Sequence, residues 1–192
     1  LRSPYGITFY KQENNSYKVL VTDSYEYNNP REDRILSWDF TIDNEEFSVG
    51  PATVLGNPTL YQVESIQADK HYQTLLVAEE MKEHHKVMAL DLMTGEVIKE
   101  DLGNFDRGND PEGTALVVNK NNNGYWICTE QSKTDNRFHL YDRKTLEYMT
   151  TMYLDNVSYT DGIATAYMHG KWFLYAVDND ARVVAFELPE IN

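Results

Sequence analysis

Residues 110–118 read DPEGTALVV. Two carboxylates flank a proline, a glycine follows, and an apolar, strand-forming run comes next. Pro fixes φ while Asp and Gly favour turns, so the stretch alone is a turn leading into a strand. Its meaning comes from recurrence. PYGITFY (4–10), VESIQAD (63–69) and TDGIATA (160–166) begin in the same way. Aligned at Gly6, Ser65, Gly113 and Gly162, the four stretches repeat about every fifty residues.

Each is followed by an apolar run that ends in polar groups: VLVTDS (19–24), LLVAEE (75–80), WICTEQ (126–131) and LYAVDN (174–179). A third run comes after it: ILSWDF (35–40), VMALDL (87–92), FHLYDR (138–143) and VVAFEL (183–188). A fourth, such as VIKEDL (97–102) or MTTMYL (149–154), precedes the next unit. The runs are short, rich in β-branched and aromatic residues, and bounded by Asn, Asp and Gly. No segment carries apolar residues at helical spacing over three turns. The expected fold is all-β: a single β-propeller domain of about four blades, spanning roughly 1–57, 58–105, 106–157 and 158–192.

In such a blade the first strand lines the central channel and its neighbour runs antiparallel. The start of strand one and the end of strand two therefore share one face. Tyr5, Glu64, Asp110, Glu112 and Asp161 stand at strand-one starts; Asp23, Glu79, Glu80, Glu130, Gln131, Asp178, Asn179 and Asp180 stand at strand-two ends. So many acids in one mouth repel unless compensated. Calcium, which takes six to eight oxygen ligands, is the natural compensator. For any single acid, a solvated strand cap suffices; for the recurring set, with Asp110 and Glu112 bracketing Pro111, metal binding is the better reading.

The remaining composition narrows the classes. Of 192 residues, 41% are hydrophobic, and no apolar run is long enough to span a bilayer as a helix. A net charge of −14 argues against binding a nucleic-acid backbone and suits cations, or substrates that arrive with cations. The single cysteine, Cys128, sits in an apolar run and reads as a buried thiol, with no intrachain disulfide available. Asn14-Asn15-Ser16 and Asn156-Val157-Ser158 fit the glycosylation sequon, a triplet common by chance. Glu83-His84-His85 reads as a solvated hairpin loop rather than a metal site. The tyrosines and the three tryptophans, Trp38, Trp126 and Trp172, read as strand packing. No nucleophile elbow, phosphate loop, zinc spacing or dinucleotide fingerprint is present.

Taken in order, SPYGITFY with KVLVTDS, YQVESIQADKHYQTLLVAEE, DPEGTALVVNKNNNGYWICTEQS and YTDGIAT resemble the β-propeller phytases, and the resemblance covers nearly the whole chain. That family is six-bladed and calcium-dependent and removes phosphate from phytate, myo-inositol hexakisphosphate. The resemblance implies calcium ligation by Glu64, Glu80, Asp110, Glu112, Gln131 and Asp161, with Asp178 and Asn179 matching last-blade ligands more loosely. It implies several Ca2+ ions, a phosphate contact from Tyr5, and catalytic roles for Tyr5, Glu112 and Asp161. Calcium there bridges phosphate oxygens and activates water, which lets an acidic protein take a polyanion.

Departures qualify the match. Asp23, Ser24 and Tyr25 stand where the family has a lysine, leaving Arg31 or Arg34 as candidate phosphate holders. Only Asp155 is available in a short loop where the family carries an additional acid, and Arg182 replaces an expected amide. Four blades against six, with Leu1 starting directly on a strand, give the expectation of a ring completed by N-terminal blades as partners. An extracellular or periplasmic location follows from the family only. The expected function is therefore a calcium-dependent phosphomonoester hydrolase acting on a phosphorylated small molecule. The alternative is a non-catalytic, calcium-stabilised binding propeller; a lactonase or esterase on the same fold is the weaker third reading.

Overall fold

The computed structural model describes residues 1–192 apart from 14, 44–45, 57, 107 and 190–192. Asn14 of the first sequon and the expected blade boundary at 57 lie outside the described residues. Among the described residues every element is a strand, and no helix is long and apolar enough to cross a membrane. The strands form four antiparallel sheets in chain order, the four-blade propeller arrangement that the repeat predicts.

The first blade pairs β1 (Pro4–Lys11), β2 (Ser16–Asp23), β3 (Ile35–Asp43) and β4 (Glu46–Val49), with β5 (Thr53–Val54) also on β3. The second runs β6 (Val63–Asp69), β7 (Thr74–Glu79), β8 (Lys86–Asp91), β9 (Val97–Lys99). The third runs β10 (Asp110–Val118), β11 (Gly124–Gln131), β12 (Arg137–Asp142), β13 (Tyr148–Tyr153). The last has three described strands, β14 (Ile163–Met168), β15 (Lys171–Asp178) and β16 (Arg182–Glu187). Inner strands pack in sequence, β1 on β6, β6 on β10 and β10 on β14.

The core is divided among the three junctions between blades. Leu20, Ile35 and Leu60 meet Val63, Val77 and Leu90 at the first. Leu76, Ala78 and Val87 meet Trp126, Cys128 and Tyr141 at the second. Ile127, Phe138 and Leu140 meet Leu174, Ala176 and Leu188 at the third. Cys128 is buried as expected, and burial pushes its thiol pKa up. At the end of the blades opposite the acidic mouth, Arg143 grips Asp69 across the second junction. Its Nε and Nη2 donate to the two carboxylate oxygens at 2.6 and 2.7 Å, with both side chains buried.

The junctions are tight where inner strands meet. A Cβ on Gly6 would lie 2.6 Å from the Glu64 carbonyl oxygen, and one on Gly113 would lie 2.8 Å from the Ile163 nitrogen. At the equivalent place Ser65 donates its hydroxyl to the Glu112 carbonyl at 2.5 Å. The small residue at which the repeat aligns is thus the point of closest approach between neighbouring inner strands.

Candidate functional site

The register of strand one slips at the same place in three blades: between Pro4 and Ile7, between Val63 and Ile66, and between Pro111 and Thr114. Each irregularity brackets one residue of the expected site with its small neighbour: Tyr5 with Gly6, Glu64 with Ser65, Glu112 with Gly113. A bulge re-aims a side chain out of the ladder. Here all three are turned into the channel, where they line a cavity of about 630 Å3 together with Asp161. Ile7, Ile66 and Ile163 also line it.

The acids crowd this mouth. Gln62 Nε2 donates to Glu64 Oε1 at 3.1 Å and also to Glu80 Oε2. Gln131 donates to Asp161, whose neighbour is Asp180. Burial, then the Glu80 carboxyl, raises the pKa of Glu64. Burial, followed by Glu80, Glu64, Asp161 and Asp110, raises Glu112 to about 10. Burial and Asp180 raise Asp161, and Glu64 first among its causes raises the exposed Tyr5 phenol. Burial and like charge thus favour the protonated form at Glu64, Glu112 and Asp161.

Could these residues take a cation? As they stand, no three or more His, Cys, Asp or Glu side chains among the described residues are gathered as metal ligands. Amide N–H groups from Gln62 and Gln131 engage carboxylate oxygens of Glu64, Glu80 and Asp161 instead. The donor set is oxygen only, crowded and underneutralised, which is the chemistry that a hard cation such as calcium suits. The residues fit calcium in kind.

The acids at strand-two ends fall into two groups that the sequence presents as one. Asp23, Glu79, Glu130 and Asp178 turn into their blades and hold the segment leading to strand one. Asp23 accepts from Ser3 N at 2.8 Å, Glu79 from Tyr61 N at 2.6 Å, and Asp178 from Ser158 N at 3.0 Å. Glu130 accepts from the side chain of Asn109 at 2.6 Å. For Asp23, burial pushes the pKa up, but N–H donation from Ser3 and Arg2 outweighs it and leaves the group lowered. Glu79 stays raised because its burial dominates the pull of the Tyr61 N–H. The following residues, Glu80 and Gln131, are the ones that reach the mouth.

The remaining expected residues are placed elsewhere or otherwise engaged. Asp178 and Asn179 line a separate cleft of about 490 Å3 with Lys133, Asn156 and Arg182. There Arg182 Nε meets Asp178 Oδ2 at 2.8 Å, and the Ser158 N–H takes Oδ1. Asp155 lines the same cleft. Arg34 is buried, and its guanidinium donates to the carbonyls of Asp23, Tyr25, Glu26, Asn29 and Leu60, holding the loop after β2 closed. Arg31 is forked onto Asp33 at 2.7 and 2.6 Å.

The histidine loop differs from its expected solvated state. His84 stacks on Tyr61 at 4.0 Å between centroids, and His85 points Nε2 to within 3.1 Å of Asp110 Oδ1. The His85 side chain is nine-tenths buried, and its Nε2 makes no hydrogen bond although it lies beside the start of β10. Adjacent histidines facing opposite ways across a strand end are compatible with either state, so the sequence holds no signal for this contact.

The family model for Phytase matches residues 41–170. No curated protein matches the chain at a significant level. Among solved structures, the chain is similar to a nidogen/laminin complex, at 13% identity and a TM-score of 0.59, covering 95% of this chain and 64% of that one. A thermostable family-43 glycoside hydrolase gives 12% and 0.60, covering 93% and 64%. An exo-β-1,3-galactanase from Phanerochaete chrysosporium gives 10% and 0.62, covering 97% and 47%. The chain thus spans less than two thirds of each of these structures, and identities this low carry the fold alone.

Proposed function

The chain belongs to the β-propeller phytase family, and from that premise we propose that it is a calcium-dependent phosphomonoester hydrolase acting on phytate or a similar polyphosphorylated small molecule. The observation that carries the reading is the set of three matching bulges, which aim Tyr5, Glu64 and Glu112 into one mouth beside Asp161. Glu64, Glu80, Asp110, Glu112, Gln131 and Asp161 would hold the metal. Asp178 is left out of that set because Arg182 and Ser158 engage its oxygens. Asn179 is left out with it.

Bound calcium would supply Lewis-acid polarisation of a phosphoryl oxygen and lower the pKa of a water. The protein's own groups do the rest. Glu64 and Glu112, whose pKa values are raised, would give up protons on taking a cation, which would couple uptake to proton release. The Tyr5 phenol keeps its proton, because the carboxylates around it raise its pKa, and stands exposed to donate to a phosphate oxygen. Asp161, held by Gln131 at the rim, would take the proton that the attacking water gives up.

The family resemblance extends the proposal to an extracellular or periplasmic location, where calcium is plentiful. Further blades, covering the outer faces of β1–β5 and β14–β16, are the proposed partners. Phosphate release from phytate at saturating calcium tests the reading; a calcium-loaded protein that releases none from phytate or any phosphomonoester overturns it.

One observation favours the non-catalytic alternative. Arg31 and Arg34, the cations expected to hold phosphate, are engaged by Asp33 and by backbone carbonyls. On that reading calcium raises thermal stability by linkage without turnover.

A further inference from the structure

All four strand-two acids hold the segment before strand one; Glu130 takes the Asn109 side chain as well as the Asp106 backbone N–H. It is fully buried, with Oε1 accepting from Asn109 Nδ2 at 2.6 Å and Oε2 facing His139 Nε2 at 2.7 Å. His139, also buried, places Nδ1 at 2.9 Å from Thr151 Oγ1, which lies 2.7 Å from the Tyr148 hydroxyl. The Phe105 ring meets the His139 ring edge-on at 4.9 Å. Arg137 lies 3.5 Å from Glu130 and ties Asp106 and Asp135 together around it.

A buried carboxylate is costly unless it is paired and hydrogen-bonded. Burial pushes the Glu130 pKa up, but hydrogen bonds from His139 and Asn109 outweigh it and leave the pKa lowered. A carboxylate Oε2 can only accept, so His139 donates to it from Nε2, while Nδ1 pairs with Thr151 Oγ1. Every polar atom of the Glu130 carboxylate therefore faces a donor, and one of those donors is the residue immediately before Asp110.

We propose that Glu130 is a positioning residue for the mouth: through Asn109 it fixes where β10 begins, and so where Asp110 and Glu112 stand. The inference rests on the metal-binding reading above. Asn109 is held by Glu130 from within the third blade, while His85 meets Asp110 from the second. The residue before Asp110 is thereby held from within the third blade before the bulge turns Glu112 into the channel. Carboxylates that hold ligands or their neighbours at a set orientation commonly change metal affinity 10- to 100-fold when altered.

A polarity swap separates positioning from bulk packing. Asn109→Asp sets two carboxylates face to face, and Glu130→Gln removes the ionised acceptor. The double variant restores one donor and one acceptor across the same gap. Calcium alone is titrated by calorimetry, and amide exchange of Asp110, Glu112 and Gly113 is followed in the metal-free protein. Each single variant should weaken calcium binding about tenfold or more and speed exchange at those amides, and the double variant should recover both substantially. Folded single variants with unchanged affinity and exchange, or a double variant no better than the worse single, overturn the proposal. Should Glu130→Gln fail to fold, Asn109→Ala at its half-buried position must produce the same two shifts. If the parent protein binds no calcium, the metal reading fails while the exchange pattern still decides the positioning role.

Discussion

In β7 every residue from Thr74 to Glu79 is buried, whereas in β1 and β16 burial alternates and one face stands open. The exposed face of β1 is nonetheless apolar: Ile7 and Phe9 are each 67% accessible. Across that sheet the rings of Phe9, Tyr17, Phe40 and Phe47 follow one another at 6.5, 6.5 and 5.6 Å. Val183 and Tyr167 are similarly exposed on the last blade. The outer blades each meet one neighbouring blade and leave apolar residues exposed on the other face. Apolarity in a strand therefore reports what the strand is built to meet, and exposed patches of this kind mark contact surfaces.

If the comparison is sound, disruption should be severe between the middle blades and mild on the outer faces. Arg143→Ala leaves Asp69 buried without its cation and should cost about 3–5 kcal/mol in denaturant unfolding. Leu76→Ala, at the same junction, should cost about 2–5 kcal/mol. Val183→Ala on the open face should stay within about 0.5 kcal/mol. A Val183 variant as costly as Leu76→Ala would break the comparison and show that the outer face is covered in solution.

Much of this arrangement was legible in the sequence. The strand runs, the repeat and the channel mouth follow from spacing, because an inner strand and its antiparallel neighbour must share one end. Spacing does not fix side-chain direction where the ladder is irregular. Glu79 and Glu80 are adjacent acids, yet one holds Tyr61 N within the blade and the other faces Glu64 through Gln62. Arg34 looked available for phosphate because no sequence pattern shows five carbonyls gathered around a guanidinium. His85 was hidden likewise, since its partner Asp110 belongs to another blade.

The mouth tests the middle blades differently. The pKa of Glu112 is raised in the folded protein to about 10, so the folded state binds more protons than the unfolded chain through that range. Its contribution is therefore complete below the ordinary carboxylate range and is lost as pH climbs toward about 10. Metal-free protein should become less stable along that rise. At pH about 8, Glu112→Gln should stabilise the metal-free protein by about 1–3 kcal/mol, on the order of the relief of one buried, poorly compensated polar group. Calcium should stabilise the parent and do so less for the variant, as thermal unfolding at several calcium concentrations would show. A flat pH profile in the metal-free parent would mean that the acids are not crowded in solution.

A small effect is expected at Arg182 as well, and it sharpens the comparison because its chemistry mirrors that of Arg143. Both arginines meet an aspartate, at 2.8 Å for Arg182 and 2.6 Å for Arg143. The Arg182 side chain is 60% accessible, whereas the Arg143 side chain is 4% accessible. An exposed pair gains little because water screens it and two long side chains must be ordered, so Arg182→Ala should cost about 0–1 kcal/mol. Asp178 keeps the Ser158 N–H after the change, so the loop before β14 should stay in place. A cost near that of Arg143→Ala would place this pair, too, under cover in the folded protein. The outer blade would then be no more open than the middle ones, and the difference between them would have to be sought in shape rather than in exposure.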